Sequence, residues 1–505
     1  LREPFSGLID LDPRLIEPLH LQLTGQIKRA VLAGRLPRGA RLPSSRAMAA
    51  ELGISRNTAL AALDQLKAEG YLETRQGSGT QIADVSATDF DSGRGKPQRP
   101  PAYQHRLATH WTRALATHHQ PMPDLPQPFR PGIPDVKAFP YDLWNASLRR
   151  ASRRLDERSA GYGHMSGHPA FRAILSAHLA ETRGVIADPE QILITSSARG
   201  ATSLLVSALL DPGDCVWVEE PGFRGPKTIF DAAGAKLIPV AVDEHGINLT
   251  ETASLPRPRL IYVTPSHQYP TGAIMKLSRR LDLLDVAAKA NAYIIEDDYD
   301  SEFQYRGRPI AALQGLDRAG CVLYVGTFSK SLLPSLRIGF AVAPRELASK
   351  LAQVHRNTGQ LVPPLIQLAA ADFIECGHYR AHVRRMRALY AKRLDNFAEL
   401  IAKHSDGRLR AAAPDGGMQT VVTARDAVDD KNLAALLAGA GIDCHPLCDF
   451  HLSPEKALHR GALMGFSAWN EDEAMRILEG AAPLLRVNAT GRDETGAAAS
   501  LTRGG

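Results

Sequence analysis

Three helical patterns open the chain. Leu23, Ile27, Ala30 and Val31 recur at i, i+4, i+7 and i+8, one apolar stripe that predicts a helix ended by Gly34 and Pro37. A second helix over about 45–52 presents Met48 and Leu52 and stops at Gly53. Ser55 is placed to N-cap a third, with Ala59, Leu63 and Leu66 inward and Gly70 at its end. Residues 71–74, a Gly77-Ser78-Gly79 turn and residues 80–82 then predict a small hairpin.

The pattern breaks from 84 to about 131. Residues 89–101 are rich in Asp, Ser, Gly, Arg and Pro, and 120–134 are dense in proline, so 84–131 is expected to be a linker. Within it, 105–118 predicts a short helix carrying Leu107, Trp111 and Leu115. Beyond it, apolar runs at 191–195, 215–219, 237–240, 260–263, 293–296, 322–326 and 338–342 alternate with helical patterns such as 200–210 and 279–290. Buried strands alternating with helices indicate an α/β fold on a mostly parallel sheet. After Pro363 the pattern turns helical to Ser405 and then mixed, a smaller C-terminal α+β subdomain. The expected division is 1–83, linker 84–131, large domain 132–362, small subdomain 363–488, and a small, polar, disordered tail over 489–505.

Charge sharpens the reading of the N-terminal part. The whole chain carries +6, and between Leu19 and Ala83 stand nine basic residues against four acidic ones, so this segment holds most of the excess. Helix, short helix, glycine, longer helix and hairpin is the order of a winged helix-turn-helix, and a basic surface on it suits double-stranded DNA. Candidate contacts are Ser55, Arg56, Asn57 and Thr58 at the start of the third helix, Arg46 on the second, and Arg75 and Ser78 on the hairpin. The five cysteines are scattered and odd in number, which argues for a reducing compartment rather than a disulfide framework. No metal site is expected: Cys444, His445 and Cys448 lack further ligands at suitable spacing. No apolar run spans a bilayer and the first ten residues do not have the order of a secretory signal, so a soluble cytoplasmic protein is expected.

Both halves resemble known families. Residues 18–82, PLHLQLTGQIKRAVLAGRLPRGARLPSSRAMAAELGISRNTALAALDQLKAEGYLETRQGSGTQI, resemble the DNA-binding domain of GntR-type regulators. The remainder resembles fold-type-I pyridoxal-phosphate enzymes, the aminotransferase superfamily. TPSHQYPTG, IIEDDYDSEFQY and GTFSKSLLPSLRIGF look like the MocR subfamily of GntR regulators, in which the two are fused. The resemblance implies pyridoxal 5'-phosphate as cofactor and a homodimer with sites near the subunit interface.

That cofactor needs a lysine for its aldehyde, an acid for its pyridine nitrogen and a cradle for its phosphate. Lys330, just past the run 322–326, suits the Schiff-base role; ligands in α/β sheets gather at strand carboxyl ends. Asp297 suits the pyridine nitrogen, with Asp298 beside it and a strand-capping acid as the plain alternative. The resemblance places the hydroxyl of Tyr299 near the ring oxygen. Arg337 and Ser329 are placed to bind phosphate, together with the helix start after Ser196-Ser197-Ala198-Arg199; Ala198 and Arg199 are candidates there, though relatives often carry glutamine at the latter position. The resemblance suggests an aromatic ring stacked on the cofactor at Phe223, the alternative being a core phenylalanine.

Two positions depart from aminotransferases. Tyr269 stands where they usually carry an asparagine touching the ring oxygen. In 463–466, Leu-Met-Gly-Phe, there is no arginine of the kind that clamps a substrate carboxylate, and Arg460 aligns only weakly. The expected function is a DNA-binding transcription regulator that binds pyridoxal phosphate and senses the cofactor itself or an amine or amino acid, with at most vestigial transaminase activity. The alternatives are an active aminotransferase with an accessory DNA-binding module, and a DNA-binding module on a scaffold without cofactor.

Overall fold

The computed structural model describes residues 5–15, 17–75, 79–83, 106–118, 127–161, 163–307, 311–359, 361–425, 429–456 and 460–486. Ser78, the side chain of Arg75, most of the expected linker and the expected tail fall outside them. The chain divides into two compact units, Leu1–His105 and Arg106–Gly505.

In the first unit the apolar stripe builds the helix Leu19–Leu32, and Leu23, Ile27 and Ala30 are fully buried. Leu23 and Ile27, so buried, each contribute on the order of 1.5–3 kcal/mol. They pack on Met48 of the helix Ser45–Leu52 and on Ala59, Leu63 and Leu66 of Arg56–Ala68. Gly53 ends the second helix at φ 66°, a left-handed conformation that glycine adopts without steric cost. The strands Leu72–Arg75 and Gly79–Ile82 pair antiparallel, and Arg41 bridges to Gln81 on the outer edge. The predicted winged helix-turn-helix is present.

The second unit is built on a large sheet that, among the described residues, runs in the order Ile192–Thr195, Gly339–Val342, Val322–Thr327, Tyr293–Asp298, Leu260–Val263, Cys215–Glu220, Lys236–Asp243, Gly246–Ile247. The pairings from Val322–Thr327 through Lys236–Asp243 are parallel. Gly339–Val342 is antiparallel to both neighbours, and the terminal hairpin is antiparallel too. The expected helices 200–210 and 279–290 are Ala198–Leu209 and Leu277–Ala290. A second sheet, Leu409–Ala411, Gln419–Ala424, Ala462–Gly465 and His445–Pro446, is antiparallel throughout and packs with the long helix His378–His404 and with Glu471–Leu485. This is the expected mixed C-terminal region.

The helix expected within the linker is Thr109–His118. It lies against the helix Arg224–Ala232 of the large sheet layer: Arg113 donates to the Asp231 carboxylate and to its backbone carbonyl, both at 2.9 Å. Ala114 is the residue it buries, while Leu107 and Trp111 are exposed. A small residue at the contact lets the two helices approach closely, so the larger apolar residues are turned outward.

Candidate cofactor and DNA sites

The DNA-facing candidates in the first unit separate into two roles. Ser55 N-caps Arg56–Ala68, its hydroxyl accepting from the Thr58 backbone N–H at 3.0 Å and lying 2.8 Å from the Thr58 hydroxyl. These two side chains fix the start of the helix. Arg46, Arg56 and Asn57 are exposed. The helix start therefore combines unpaired backbone N–H groups with cationic and amide side chains, the chemistry a phosphate backbone and base edges require.

In the second unit, the pleat of one strand turns two adjacent acids to opposite faces of the sheet. Successive side chains on a strand point to opposite faces. Along Tyr293–Asp298, Asp298 turns to Arg183, which donates from Nε at 2.7 Å, and to the Tyr324 hydroxyl at 2.6 Å. Asp297 turns the other way, where the Tyr262 hydroxyl donates to its Oδ2. Its Oδ1 is buried with no hydrogen-bond partner. Burial raises the Asp297 carboxyl to about 6, against the hydrogen bond from Tyr262. An unpartnered carboxylate oxygen in a dry site is what a pyridinium N–H would satisfy; Asp298 also has a buried, unpartnered Oδ1, but it stands beside Arg183 on the opposite face of the sheet.

Lys330 follows Val322–Thr327, the neighbouring parallel strand on which Val325 pairs with Asp297. Its Nζ donates to the Gly132 carbonyl at 2.6 Å. Burial depresses the Lys330 pKa, opposed by Asp300 and Asp297 and reinforced by Arg199. That favours the neutral amine, the nucleophilic form. Gly132 has φ +73°, and a Cβ there would lie 2.9 Å from the lysine nitrogen, so the backbone approaches Lys330 only because the residue is glycine.

Aromatic rings gather beside this pair. Tyr269 meets Phe223 at 4.9 Å between ring centroids, Tyr299 at 5.8 Å and Phe450 at 5.5 Å. Phe223 is half-buried at the start of Arg224–Ala232 rather than enclosed in the core. The Tyr299 hydroxyl is 3.2 Å from His267 Nδ1, which is itself 3.1 Å from Asp300. Burial opposes a charge on His267, but Asp300 outweighs it and the imidazole pKa is raised.

The phosphate candidates stand where two elements nearly touch. Ser197 N-caps Ala198–Leu209, accepting from the Gly200 N–H at 3.0 Å, so the helix start with Ala198 is ordered. Strand Gly339–Val342 begins against it: a Cβ on Gly339 would lie 2.2 Å from the Ser197 carbonyl carbon and 2.6 Å from the Ala198 nitrogen. Two residues earlier, Arg337 adopts φ 52° and exposes a guanidinium with no partner among the described residues. Ser329 is half-buried beside Lys330. Arg199 is exposed and reaches toward Gly225, where a Cβ would sit 2.9 Å from its Nη2. A helix N-terminus, a free arginine and a close backbone approach form an anion cradle. The residues present thus fit pyridoxal phosphate at its ring nitrogen, aldehyde and phosphate.

Sequence reading missed Tyr262, His267, Asp300 and Gly132. Tyr262 sits in an apolar strand and reads as core; only the sheet register reveals that its hydroxyl meets Asp297. The strand Ala462–Gly465 carries no arginine, and Arg460 is a surface residue 3.6 Å from Asp429, so neither supplies a carboxylate clamp.

The comparisons with known proteins agree with this geometry. Residues 138–458 match the aminotransferase class I and II family and residues 19–82 the bacterial regulatory proteins of the gntR family. The probable rhizopine catabolism regulatory protein MocR of Rhizobium meliloti is 41% identical over 463 residues, covering 91% of this chain and 92% of that protein. The pyridoxine biosynthesis transcriptional regulator PdxR of Corynebacterium glutamicum is 31% identical over 475 residues, covering 93% and 96%. Among solved structures, Pyrococcus horikoshii kynurenine aminotransferase, in complex with PMP, matches with a TM-score of 0.65 and 26% identity over 75% of this chain and 95% of that one. With a winged helix-turn-helix, a fold-type-I sheet and full-length relatives of this kind, the chain belongs to the MocR subfamily of GntR-type transcription regulators.

Proposed function

We propose that this protein binds operator DNA through the winged helix-turn-helix and pyridoxal 5'-phosphate through Lys330, and that it senses the cofactor itself or an amine or amino acid that reacts with it. The observation that carries this reading is a half-buried lysine of depressed pKa on the strand beside Asp297, whose Oδ1 has no partner. When bound, the cofactor supplies an aldehyde that reacts with amines and a ring that withdraws electrons.

The chain's own residues define the rest. Lys330 would offer its amine to the aldehyde, and Asp297 would accept the ring nitrogen's N–H. Tyr262 keeps the Asp297 carboxylate oriented. Tyr299, held by His267, and Tyr269 would serve the ring oxygen, and Phe223 would cover the ring. Ser329, Arg337 and the Ala198 helix start, with Arg199 nearby, take the phosphate. The chain acts as a cytoplasmic homodimer whose two winged helices read two half-sites. A ligand changes DNA binding only by favouring one arrangement of the protein over another.

Sustained amino transfer is the weaker reading, because no guanidinium stands on Ala462–Gly465 to orient a substrate carboxylate. The deciding experiment is binding of the full-length protein to DNA upstream of its own gene, at fixed salt, with and without pyridoxal phosphate and then an added amine. A change in affinity or in the retarded complex that disappears in Lys330→Ala supports the reading. No specific complex in any state, together with repeated turnover of an amine and a keto acid, overturns it in favour of the enzyme.

A further inference from the structure

The pleat that sends Asp297 toward the cofactor residues sends Asp298 to the opposite face of the sheet, and a second cavity of about 280 Å³ lies there. This is the scale of a small-metabolite pocket. The Arg183–Asp298 pair lines it, so the same strand end forms a wall of both sites. Leu175, Leu179, Phe328, Phe340 and Val383 provide an apolar lining.

The polar groups in this cavity are arranged with opposite signs at its two ends. On the inner side, Glu302 uses Oε1 to accept the Tyr379 hydroxyl at 2.9 Å. Burial raises the Glu302 carboxyl to about 7, with Asp298 adding to the effect and Arg183 opposing it. Asp298 Oδ1, also buried, has no hydrogen-bond partner. Arg380, Arg384 and Arg387 line the cavity from one face of the helix His378–His404, and all three are exposed. Arg380 is engaged by Glu181 at 2.5 Å, and Arg387 donates from Nε to the Glu302 carbonyl at 2.9 Å. Arg384 has no partner among the described residues.

We propose that this cavity is a second, non-covalent ligand site, for a small zwitterion with an ammonium group at one end, an apolar middle and an anionic group at the other. The ammonium pairs with Glu302 beside Asp298, the middle lies on the leucine and phenylalanine wall, and the anion meets Arg384 at the mouth. The site is separate from the reaction at Lys330 and does not depend on it.

The test uses 6-aminohexanoate as probe on the full-length, cofactor-loaded protein, followed by calorimetry, with hexanoate and hexylamine as one-ended controls. The expected result is one site per chain, with both controls at least tenfold weaker. Glu302→Gln and Arg384→Ala should each weaken the probe tenfold or more while leaving the cofactor absorbance unchanged. Lys330→Ala should retain probe binding, which separates this site from the proposed cofactor chemistry. Arg384 is exposed, so its variant reports on the site even if Glu302→Gln folds poorly. Absence of probe binding, binding indifferent to both substitutions, or binding lost with Lys330→Ala would each overturn the proposal.

Discussion

At the scale of single residues, Asp297 makes opposing demands on stability and binding. Its carboxyl stands at about 6 against an ordinary 3.8, with burial the main cause. Between those values the folded chain holds the proton more tightly than the unfolded one, so this residue's contribution to stability is present at low pH and is lost as pH rises through 6. Asp297→Asn removes the titration. Calorimetry of the cofactor-free proteins should show the variant gaining on the wild type between pH 5 and 7.5, and a constant difference across that range would refute the assignment. Cofactor affinity should move the other way: it falls below pH 6 in the wild type and is weaker at neutral pH in the variant. At Gly339, alanine would place a methyl group within contact of Ser197 and Ala198. It should cost about 1–3 kcal/mol in stability and release the phosphate end of the cofactor, read as a raised dissociation constant for pyridoxal phosphate.

At the scale of elements, the winged unit depends on the cap at Ser55. Ser55→Ala should destabilise the helix Arg56–Ala68 by about 1 kcal/mol and weaken DNA binding with it. Arg56→Ala should leave stability nearly unchanged and lower affinity, and a smaller slope of affinity against salt would mark it as a phosphate contact. The helix Thr109–His118 is held by Arg113 and by the buried Ala114. Ala114→Asp should release it, seen as faster amide hydrogen exchange over 109–118 with little change in the exchange of the central strands. The elements themselves were largely legible in the sequence, because period and punctuation agreed: the stripe of Leu23, Ile27 and Ala30 and the stop at Gly53 both hold. Strand neighbours were not legible. The antiparallel insertion of Gly339–Val342 beside Ile192–Thr195 joins segments about 150 residues apart in sequence, and an apolar run carries no mark of its direction.

The same limit governs the whole molecule. Lys330 and Asp297 could be named as candidates from the chain because each follows or ends an apolar run and its chemistry is distinctive. That Asp297 and Asp298 face opposite ways required the pleat, and the Tyr262 contact required the register. The cavity behind them could not be read at all, since its lining comes from separate segments whose leucines, tyrosines and arginines look individually like ordinary core and surface.

The unpartnered oxygen of Asp297 has one further consequence. A folded chain that buries this acid beside a lysine of depressed pKa carries an unfavourable term that pyridoxal phosphate, bound as proposed, would relieve, which would link its binding to folding. At a free concentration one hundred times the dissociation constant, binding adds about 2.7 kcal/mol to stability. Pyridoxal phosphate should therefore raise the melting temperature of the wild type, and by less in Asp297→Asn. In a growing cell the same linkage would act on survival: chains made while the vitamin is scarce would open more often and be cleared sooner by proteases. Scarcity would then be recorded in the abundance of the regulator as well as in its grip on DNA.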